Sequence, residues 1–466
     1  MSLIRGLGPV ATTAVVVGNV IGTGVFLKSR VMTCNVGTPG RVITVWIVAG
    51  LLSLAGALTY AELAAMWPRA GGEYVFIRNA YNARLAFLFG WMRFFASGAG
   101  SLAALAVGFA IFLNVLLTEK LNVTYFTLDL PGYPVPFGSL QIVALAAIAF
   151  VTIVNCLSVS MGGKFATVLT AIKVGSIVAL GLGVLFFARG SWANFLLQDN
   201  GGACEGVAGA ARGGSAGFAA AMLGALWAYN GWNEMTFVSG EVKNPQRNIP
   251  LALFTGMLIC MALYVFVNTT YFYVLTPTEV ANVPATSSVA GVVAESFLGD
   301  IAVSLIAAAM MISTLGALHT STMANSRIPF AMASDGLFPK GLAQVSERGR
   351  VPVRALLVQG VWAGVLALSG SYDTLTDYVI FVNWMFFGLV IVSIFFIRRT
   401  IPQEQRTFRA WGYPIVPLLF LLTTAWLLVS TLITSPVRSL IGLALVALGL
   451  PVYSYITRVT GPYRGQ

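Results

Sequence analysis

Charge is what this sequence has least of. Only 9% of its 466 residues are charged while 58% are hydrophobic, and the mean hydropathy is +0.85. A soluble domain carries roughly 25% charged residues, so a water-soluble fold is excluded and a polytopic membrane protein is implied. There is a single histidine, His319, which rules out a histidine-rich metal site. The 4 cysteines show no metal-ligand spacing. Cys156 and Cys260 lie inside apolar runs and read as packing residues. Cys34 and Cys204 fall on one side of the membrane, where a bond between them is allowed but not required. No polar connection is long enough for a soluble catalytic domain. A nucleophile–base pair is confined to His319 with Ser313 or Ser321, and nothing supplies an oxyanion site, so neither an enzyme nor a bound cofactor is expected.

Twelve apolar runs are present, at 9–29, 41–66, 85–117, 138–158, 163–188, 216–240, 250–275, 298–333, 354–370, 376–398, 413–434 and 437–458. The third and eighth exceed the ~20 residues that a span needs, which allows tilt or an extension beyond the lipid. The opening MSLIRGLGP is expected not to be a cleaved signal peptide, because the first run follows too soon. Net charge is +11, but its distribution argues for topology rather than nucleic acid. With both termini on one side, 17 of the Lys and Arg residues in the loops and at the ends of the runs fall on that side, from Arg5 to Arg464, and 7 on the other, from Lys28 to Arg438. The positive-inside rule then predicts cytoplasmic termini.

Two interruptions stand out. Gly22-Thr23-Gly24 breaks the first run, and Asn230-Gly231 breaks the sixth. The bilayer core has no water to satisfy freed backbone groups, so an unwound segment there lines a cavity or binds a ligand. Paired breaks in corresponding helices of two repeats point to a transporter's substrate site. They suggest two five-helix halves, 9–188 and 216–398, the second inverted because five is odd, with two helices at 413–458 appended. The amides of Gly22, Thr23 and Gly24, at the positive end of the half-helix that follows, suit a carboxylate. The carbonyls at Val20 and Ile21, and those of Trp227, Ala228 and Asn230 in the sixth run, suit an ammonium. Together the breaks predict a carrier of a small zwitterion, with Trp227 one turn before the second break and able to close over it.

Lys173 is the sharpest charge, in an apolar stretch that does not reach an interface; an intramembrane ammonium marks function. It either docks on helix 1 carbonyls as a fixed cation or cycles a proton. Glu62 and Arg93 read as inner-gate or structural partners. Glu234, just past the second break, faces a cation or the inner vestibule. His319 reads as a packing histidine. Asn383-Trp384 and Gly100-Ser101 are candidate pocket walls. The Gly/Ala-rich 189–215 stretch is expected to be a mobile outer loop, and 276–297 to hold short helices acting as a lid.

These residues carry a resemblance. NVIGTGVF (19–26), GALTYAELAAMWPRAGGEY (56–74), VNCLSVSMGGKFATVLTAIK (154–173), LWAYNGWNEMTFVSGEVKNPQRNIP (226–250), STLGALHTSTMANSRIPFAMASDGLFP (313–339) and LGLPVY (448–453) resemble the amino acid–polyamine–organocation superfamily, in its L-type amino acid transporter branch. The resemblance implies an all-α membrane fold of 12 transmembrane helices: a five-plus-five inverted repeat of the LeuT type, discontinuous helices 1 and 6, and two extra helices. It implies Gly22, Thr23 and Gly24 at the substrate carboxylate, and Val20, Ile21, Trp227, Ala228 and Asn230 at the amine. Trp227 then matches an aromatic gate, Asn233 a polar site residue, and Ser101, Ala317 and Val379 pocket positions. Lys173 aligns with the lysine that replaces sodium in sodium-independent members.

Departures are Glu234, where the family pattern is usually uncharged, and Ser239-Gly240 in place of Thr-Glu. The loop 118–137 lacks the cysteine that joins animal members to a heavy subunit, so a stand-alone prokaryotic member is expected, with no covalent heavy-chain partner and no nucleic acid. The expected function is sodium-independent exchange of L-amino acids, neutral ones foremost, across the plasma membrane. The alternatives are a proton-coupled symporter using Lys173, a cationic amino acid or polyamine exchanger, and a non-transporting sensor on the same fold.

Overall fold

The first apolar run does not fold as one helix. In the computed structural model, which describes residues 3–130, 133–198, 202–284, 287–369, 372–434 and 436–460, α1 (Pro9–Val20) ends where Ile21 turns to extended backbone (φ −76°, ψ 95°). Gly22 and Thr23 cross the gap, and α2 (Gly24–Val36) continues at 41° to α1. The second apolar run is α3 (Pro39–Met66), followed by a short connecting helix α4 (Glu73–Ala80). The third is a 34-residue helix in which α5 (Ala83–Met92) passes through a π-helical turn, Arg93–Ser97, into α6 (Gly98–Leu116).

One element corrects the all-α expectation. Strands β1 (Thr124–Leu130) and β2 (Tyr133–Gly138) form an antiparallel hairpin between α6 and α7 (Ser139–Leu157). Alternating apolar and polar residues in TYFTLDL suit a strand, and the prolines of the partner sit in a two-stranded sheet that is all edge.

Next come α8 (Val159–Phe187) and α9 (Gly214–Ala228). Helix α9 stops before Gly231, whose φ of +109° is a left-handed conformation that favours glycine, and the chain resumes as a 3-10 segment, Trp232–Glu241. The loop ahead of α9, expected to be mobile, is tied down at its described residues. Cys34 and Cys204 form a disulfide, Arg30 Nη1 donates to Glu205 O at 2.7 Å, and Asn35 Nδ2 donates to Ala211 O at 2.6 Å.

The chain continues as α10 (Pro245–Val274), the two short helices α11 (Pro277–Asn282) and α12 (Val289–Leu298), α13 (Ile301–Asn325), α14 (Arg327–Ser334), α15 (Val353–Ser369), α16 (Tyr372–Thr400), α17 (Ile415–Thr434), α18 (Pro436–Ala447) and α19 (Gly449–Thr460). Short helices were expected between the seventh and eighth runs, and α11 and α12 are there. Each of the twelve apolar runs holds helix. Among the described residues, nine helices are long and apolar enough to cross a membrane, and the bent α1–α2 pair makes a tenth. The sixth run falls short because its break leaves α9 with 15 residues, and the ninth because α15 has 17.

Helix α1 lies in the middle, against α8, α10 and α13, while α2 packs on α9. Alanines of α6, α7 and α15 form a second, close-packed core, where small side chains let helix backbones approach. Large apolar side chains face outward, including Phe186 (76% exposed) and Phe187 (74%) on α8 and Ile433 (74%) on α17, as expected of a surface solvated by lipid. The face that carries the N terminus is closed by buried and half-buried ion pairs. Arg327 makes a two-pronged pair with Glu241 at 2.7 and 2.9 Å, and Arg78 meets Asp335 at 2.7 Å. Glu62 accepts from Arg398 Nε at 2.9 Å and from the Ala410 amide at 2.7 Å. Leu7 threads in between, its N–H donating to Glu241 O and its carbonyl accepting from Lys243 N–H, both at 2.9 Å.

Candidate functional site

The two helix breaks meet in space, and glycine is what lets them. A Cβ on Gly24 would lie 2.6 Å from Ala228 Cβ, and one on Gly231 would lie 2.9 Å from Asn19 O. A Cβ on Gly22 would meet nothing within 4 Å, because that position opens onto a cavity. The void, counted out to its open mouth, is about 740 Å³. Asn19, Val20, Gly22, Thr23 and Gly24 line it from the first break, and Trp227, Ala228, Asn230, Gly231 and Glu234 from the second. Helix α6 adds Ser101, Ala104 and Leu105, and α13 adds Ala317 and Ser321.

Most residues singled out in the sequence therefore share one cavity: Val20, Gly22, Thr23, Gly24, Ser101, Trp227, Ala228, Asn230 and Ala317. Ile21, Asn233 and Lys173 stand behind the lining. The backbone of Val379 lies in α16, but its side chain is outside the described residues. Asn19, Ala104, Leu105 and Ser321 were not anticipated as lining. Asn19 had a signal, a polar residue directly ahead of the break in an otherwise apolar VVVGNV; Ala104 and Leu105 had none.

The two breaks bring both amides and carbonyls to the cavity wall. First-turn amides of a helix have no acceptor within it and carry partial positive charge, and Gly24, the first residue of α2, brings such an amide to the wall behind Gly22 and Thr23. Several carbonyls of the same breaks already have donors. The Tyr264 hydroxyl lies 3.0 Å from the carbonyl oxygens of both Val20 and Ala228, and its one proton serves one of them at a time. The Asn230 N–H donates to Trp227 O at 3.0 Å. Tyr264 thus pins both breaks together from α10. Nothing in the sequence marked it beyond a tyrosine in an apolar run.

Lys173 is buried, and its Nζ donates to Gly18 O at 2.8 Å and Ile21 O at 2.5 Å. Ser313 Oγ approaches Ile21 O at 3.2 Å and Gly22 O at 3.3 Å. Thr170 Oγ1 donates to Ala14 O at 3.0 Å. At the C-terminal end of α1 the carbonyls of Gly18 and Ile21 are thus taken up by an ammonium from α8, and that of Ile21 also by a hydroxyl from α13. A cation there also complements the negative end of the helix. Ile21, grouped in the sequence with the ammonium-binding carbonyls, is the anchor for this lysine.

Glu234 lies on the cavity wall in a dense network. Arg93 Nη2 is 2.6 Å from Glu234 Oε1, Ser321 Oγ is 2.7 Å from Oε2, and Asn325 Nδ2 donates to Oε1 at 3.2 Å. Arg93 Nη2 also donates to Asn325 Oδ1 at 2.7 Å, and Nη1 reaches Asn383 Oδ1 at 3.4 Å. Asn233 points away from the cavity, its Nδ2 donating to Glu73 Oε1 at 3.3 Å, where Tyr60 Oη also donates at 2.5 Å. His319 lies apart from the cavity. Asn155 Nδ2 is 3.1 Å from its Nδ1 and Gly162 O is 2.9 Å from its Nε2, an arrangement that fits a packing histidine protonated on Nε2. Among the described residues, no three His, Cys, Asp or Glu side chains converge as a metal-binding group.

A cavity between two broken helices whose backbone offers both amides and carbonyls can receive a small zwitterion, and comparison with known proteins agrees. The amino acid permease family matches residues 7–449. The b(0,+)-type amino acid transporter 1 of Homo sapiens is 29% identical over 440 residues, covering 93% of this chain and 84% of the relative; its counterpart in Mus musculus is 27% identical over 439 residues, with 93% and 84% covered. The large neutral amino acids transporter small subunit 2 of Homo sapiens is 30% identical over 466 residues, with 97% and 80% covered. These relatives are transporters, not enzymes. The chain belongs to the amino acid permease family, in the L-type branch of the amino acid–polyamine–organocation superfamily, and is a multi-pass membrane transporter of amino acids.

Proposed function

We propose that this chain exchanges neutral L-α-amino acids across the plasma membrane, without sodium, by alternating access. The observation that carries the reading is the pairing of a cavity between two helix breaks with an ammonium, that of Lys173, fixed behind the first of them. The substrate carboxylate lies against the amides of Gly22, Thr23 and Gly24. Its amine takes the acceptor capacity left on the carbonyls of Val20, Trp227, Ala228 and Asn230, each of which has two lone pairs. Trp227 closes over the bound substrate. Asn233 steadies the floor through Glu73, and Ser101, Ala317 and Val379 face the variable side chain.

Lys173 stands where a co-transported cation would otherwise hold the end of α1. With that position permanently filled, the driving force for accumulation comes from a second amino acid leaving on the other side. The architecture is a pair of inverted five-helix repeats, 9–188 and 216–398, with the helices of 413–458 appended to make twelve spans. Both termini are cytoplasmic, which follows from the bias of basic residues. Helices 1, 2, 6 and 7 of the twelve rock against the rest, and the ion pairs that seal the N-terminal face open during the inward half of the cycle. One relative is named for large neutral amino acids, which supports neutral substrates. It is named a small subunit; the loop 118–137 here has no cysteine, and this chain works without a covalently joined heavy subunit.

The test is uptake of labelled leucine into sodium-free proteoliposomes, with and without unlabelled leucine inside. Uptake confined to preloaded vesicles is the expected result. Accumulation in empty vesicles under an imposed proton gradient overturns exchange in favour of proton symport, and retained binding with no flux points to a sensor.

A further inference from the structure

Glu234 puts a carboxylate on the wall of the substrate cavity, yet its charge is spoken for. Arg93 Nη2 sits 2.6 Å from Oε1, and Ser321 and Asn325 donate to the two oxygens at 2.7 and 3.2 Å. The side chains of Arg93 and Glu234 are 3% and 7% exposed, so water screens the pair little. Arg93 itself opens the π-helical turn Arg93–Ser97. Such a turn inserts a residue into an α-helix and recurs at functional sites. The turn also brings the helix close to α13, where a Cβ on Gly98 would lie 2.6 Å from Asn325 Oδ1. Asn325 in turn binds both charged partners, and the Phe237 ring lies 5.1 Å from the guanidinium carbon of Arg93. The backbone irregularity and the side chains of Ser321, Asn325 and Phe237 together hold one arginine against one glutamate.

We infer that Arg93 determines specificity by masking Glu234, so that the side-chain end of the cavity is neutral and refuses substrates with cationic side chains. This rests on the proposed transport of neutral amino acids and adds the reason for the neutrality. Glu234 alone would be a carboxylate in a confined, weakly screened cavity, the chemistry that attracts an ammonium or guanidinium side chain. Removing the arginine uncovers that site. Removing both charges restores a neutral wall. Removing the glutamate alone leaves a bare guanidinium that favours an acidic side chain.

The experiment measures uptake of labelled leucine, lysine and glutamate into leucine-loaded proteoliposomes at mildly alkaline pH. Wild type, Arg93→Gln, Glu234→Gln and the Arg93→Gln/Glu234→Gln double variant are compared. The lysine-to-leucine ratio should rise about tenfold or more in Arg93→Gln, equivalent to about 1.4 kcal/mol, and return to the wild-type value in the double variant. An unchanged ratio in Arg93→Gln, or a raised one that persists in the double variant, overturns the inference. Should Arg93→Gln not fold, Glu234→Gln carries the test: the glutamate-to-leucine ratio rises about tenfold, by the same electrostatic reasoning, or the inference fails. In the wild type, lysine must compete with labelled leucine far more weakly than unlabelled leucine does; equal competition also overturns it. A wild type that carries no leucine at all refutes the proposed function instead, and is told apart by that result.

Discussion

Lys173 Nζ donates to Ile21 O at 2.5 Å, an ammonium on the broken end of a helix with no carboxylate between them. Together with the bond to Gly18 O at 2.8 Å, this contact gives a donor to carbonyls that the end of α1 leaves without a backbone partner. Hydrogen bonds to charged groups contribute about 1.5–3 kcal/mol. Lys173→Ala is therefore expected to lower transport at least tenfold, at about 1.4 kcal/mol per factor of ten, while the purified protein still inserts and elutes as a single species. Wild-type flux in that variant contradicts the role.

The glycines of the first break are expected to fail in different ways. At Gly24 an added methyl meets Ala228 Cβ at 2.6 Å, which forces the two half-helices apart; overpacking of this kind costs about 1–3 kcal/mol. At Gly22 the same methyl enters open cavity. Gly24→Ala should lower the melting temperature, whereas Gly22→Ala should keep it and lose leucine binding. Thermal unfolding and ligand binding measured on both variants separate the two outcomes, and an equal thermal loss for both argues against the contact at Gly24.

Arg327 and Glu241 form a pair with side-chain exposures of 1% and 0%. Removing one partner of such a pair costs about 3–5 kcal/mol, because the other charge is left buried and alone. Glu241→Ala should unfold at a markedly lower temperature. The Arg327→Met/Glu241→Leu double variant should recover most of that loss, since well-packed apolar replacements are often neutral. A double variant no more stable than Glu241→Ala contradicts the attribution to an uncompensated charge.

Glu73, in the connecting helix α4, gives a pH dependence. Burial pushes its carboxyl up from 4.5 to about 7, with the charge of Glu234 adding and Arg93, Tyr60 and Asn233 opposing. A raised carboxyl pKa means that the folded state holds more protons than the unfolded one between those two values. Stability contributed by this group therefore falls as pH rises through that window. Glu73→Gln removes the penalty, so its melting temperature relative to wild type should climb between pH 4.5 and about 7. A difference that stays flat with pH sinks the assignment.

The parts of this site that the sequence made legible are those where one residue type is out of place in its surroundings. Glycines around Thr23, Asn230-Gly231, and a lysine at 173 are each costly in an apolar helix unless something compensates, so their mere presence located the breaks and the cation. What stayed hidden depends on partners far apart in the chain. Arg93 and Glu234 are 141 residues apart, and both were noticed singly, but no local pattern pairs them or foretells the π-helical turn that aligns them. Tyr264 reaches its two carbonyls through an apolar face that reads as packing. The cysteines at 34 and 204, with a separation of 170, were plausible partners without being forced ones. The hairpin at 124–138 was missed because two prolines in YPVPFG read as loop, a signal that an isolated two-stranded sheet tolerates.

The central claim is exchange of amino acids with Lys173 in place of a coupling ion. It is tested most directly by labelled leucine uptake into sodium-free proteoliposomes, preloaded or empty, with wild type and Lys173→Ala side by side. Uptake should occur only into preloaded vesicles, unaffected by adding sodium or a proton gradient, and should be nearly abolished in the variant. Uptake into empty vesicles driven by either gradient would contradict it.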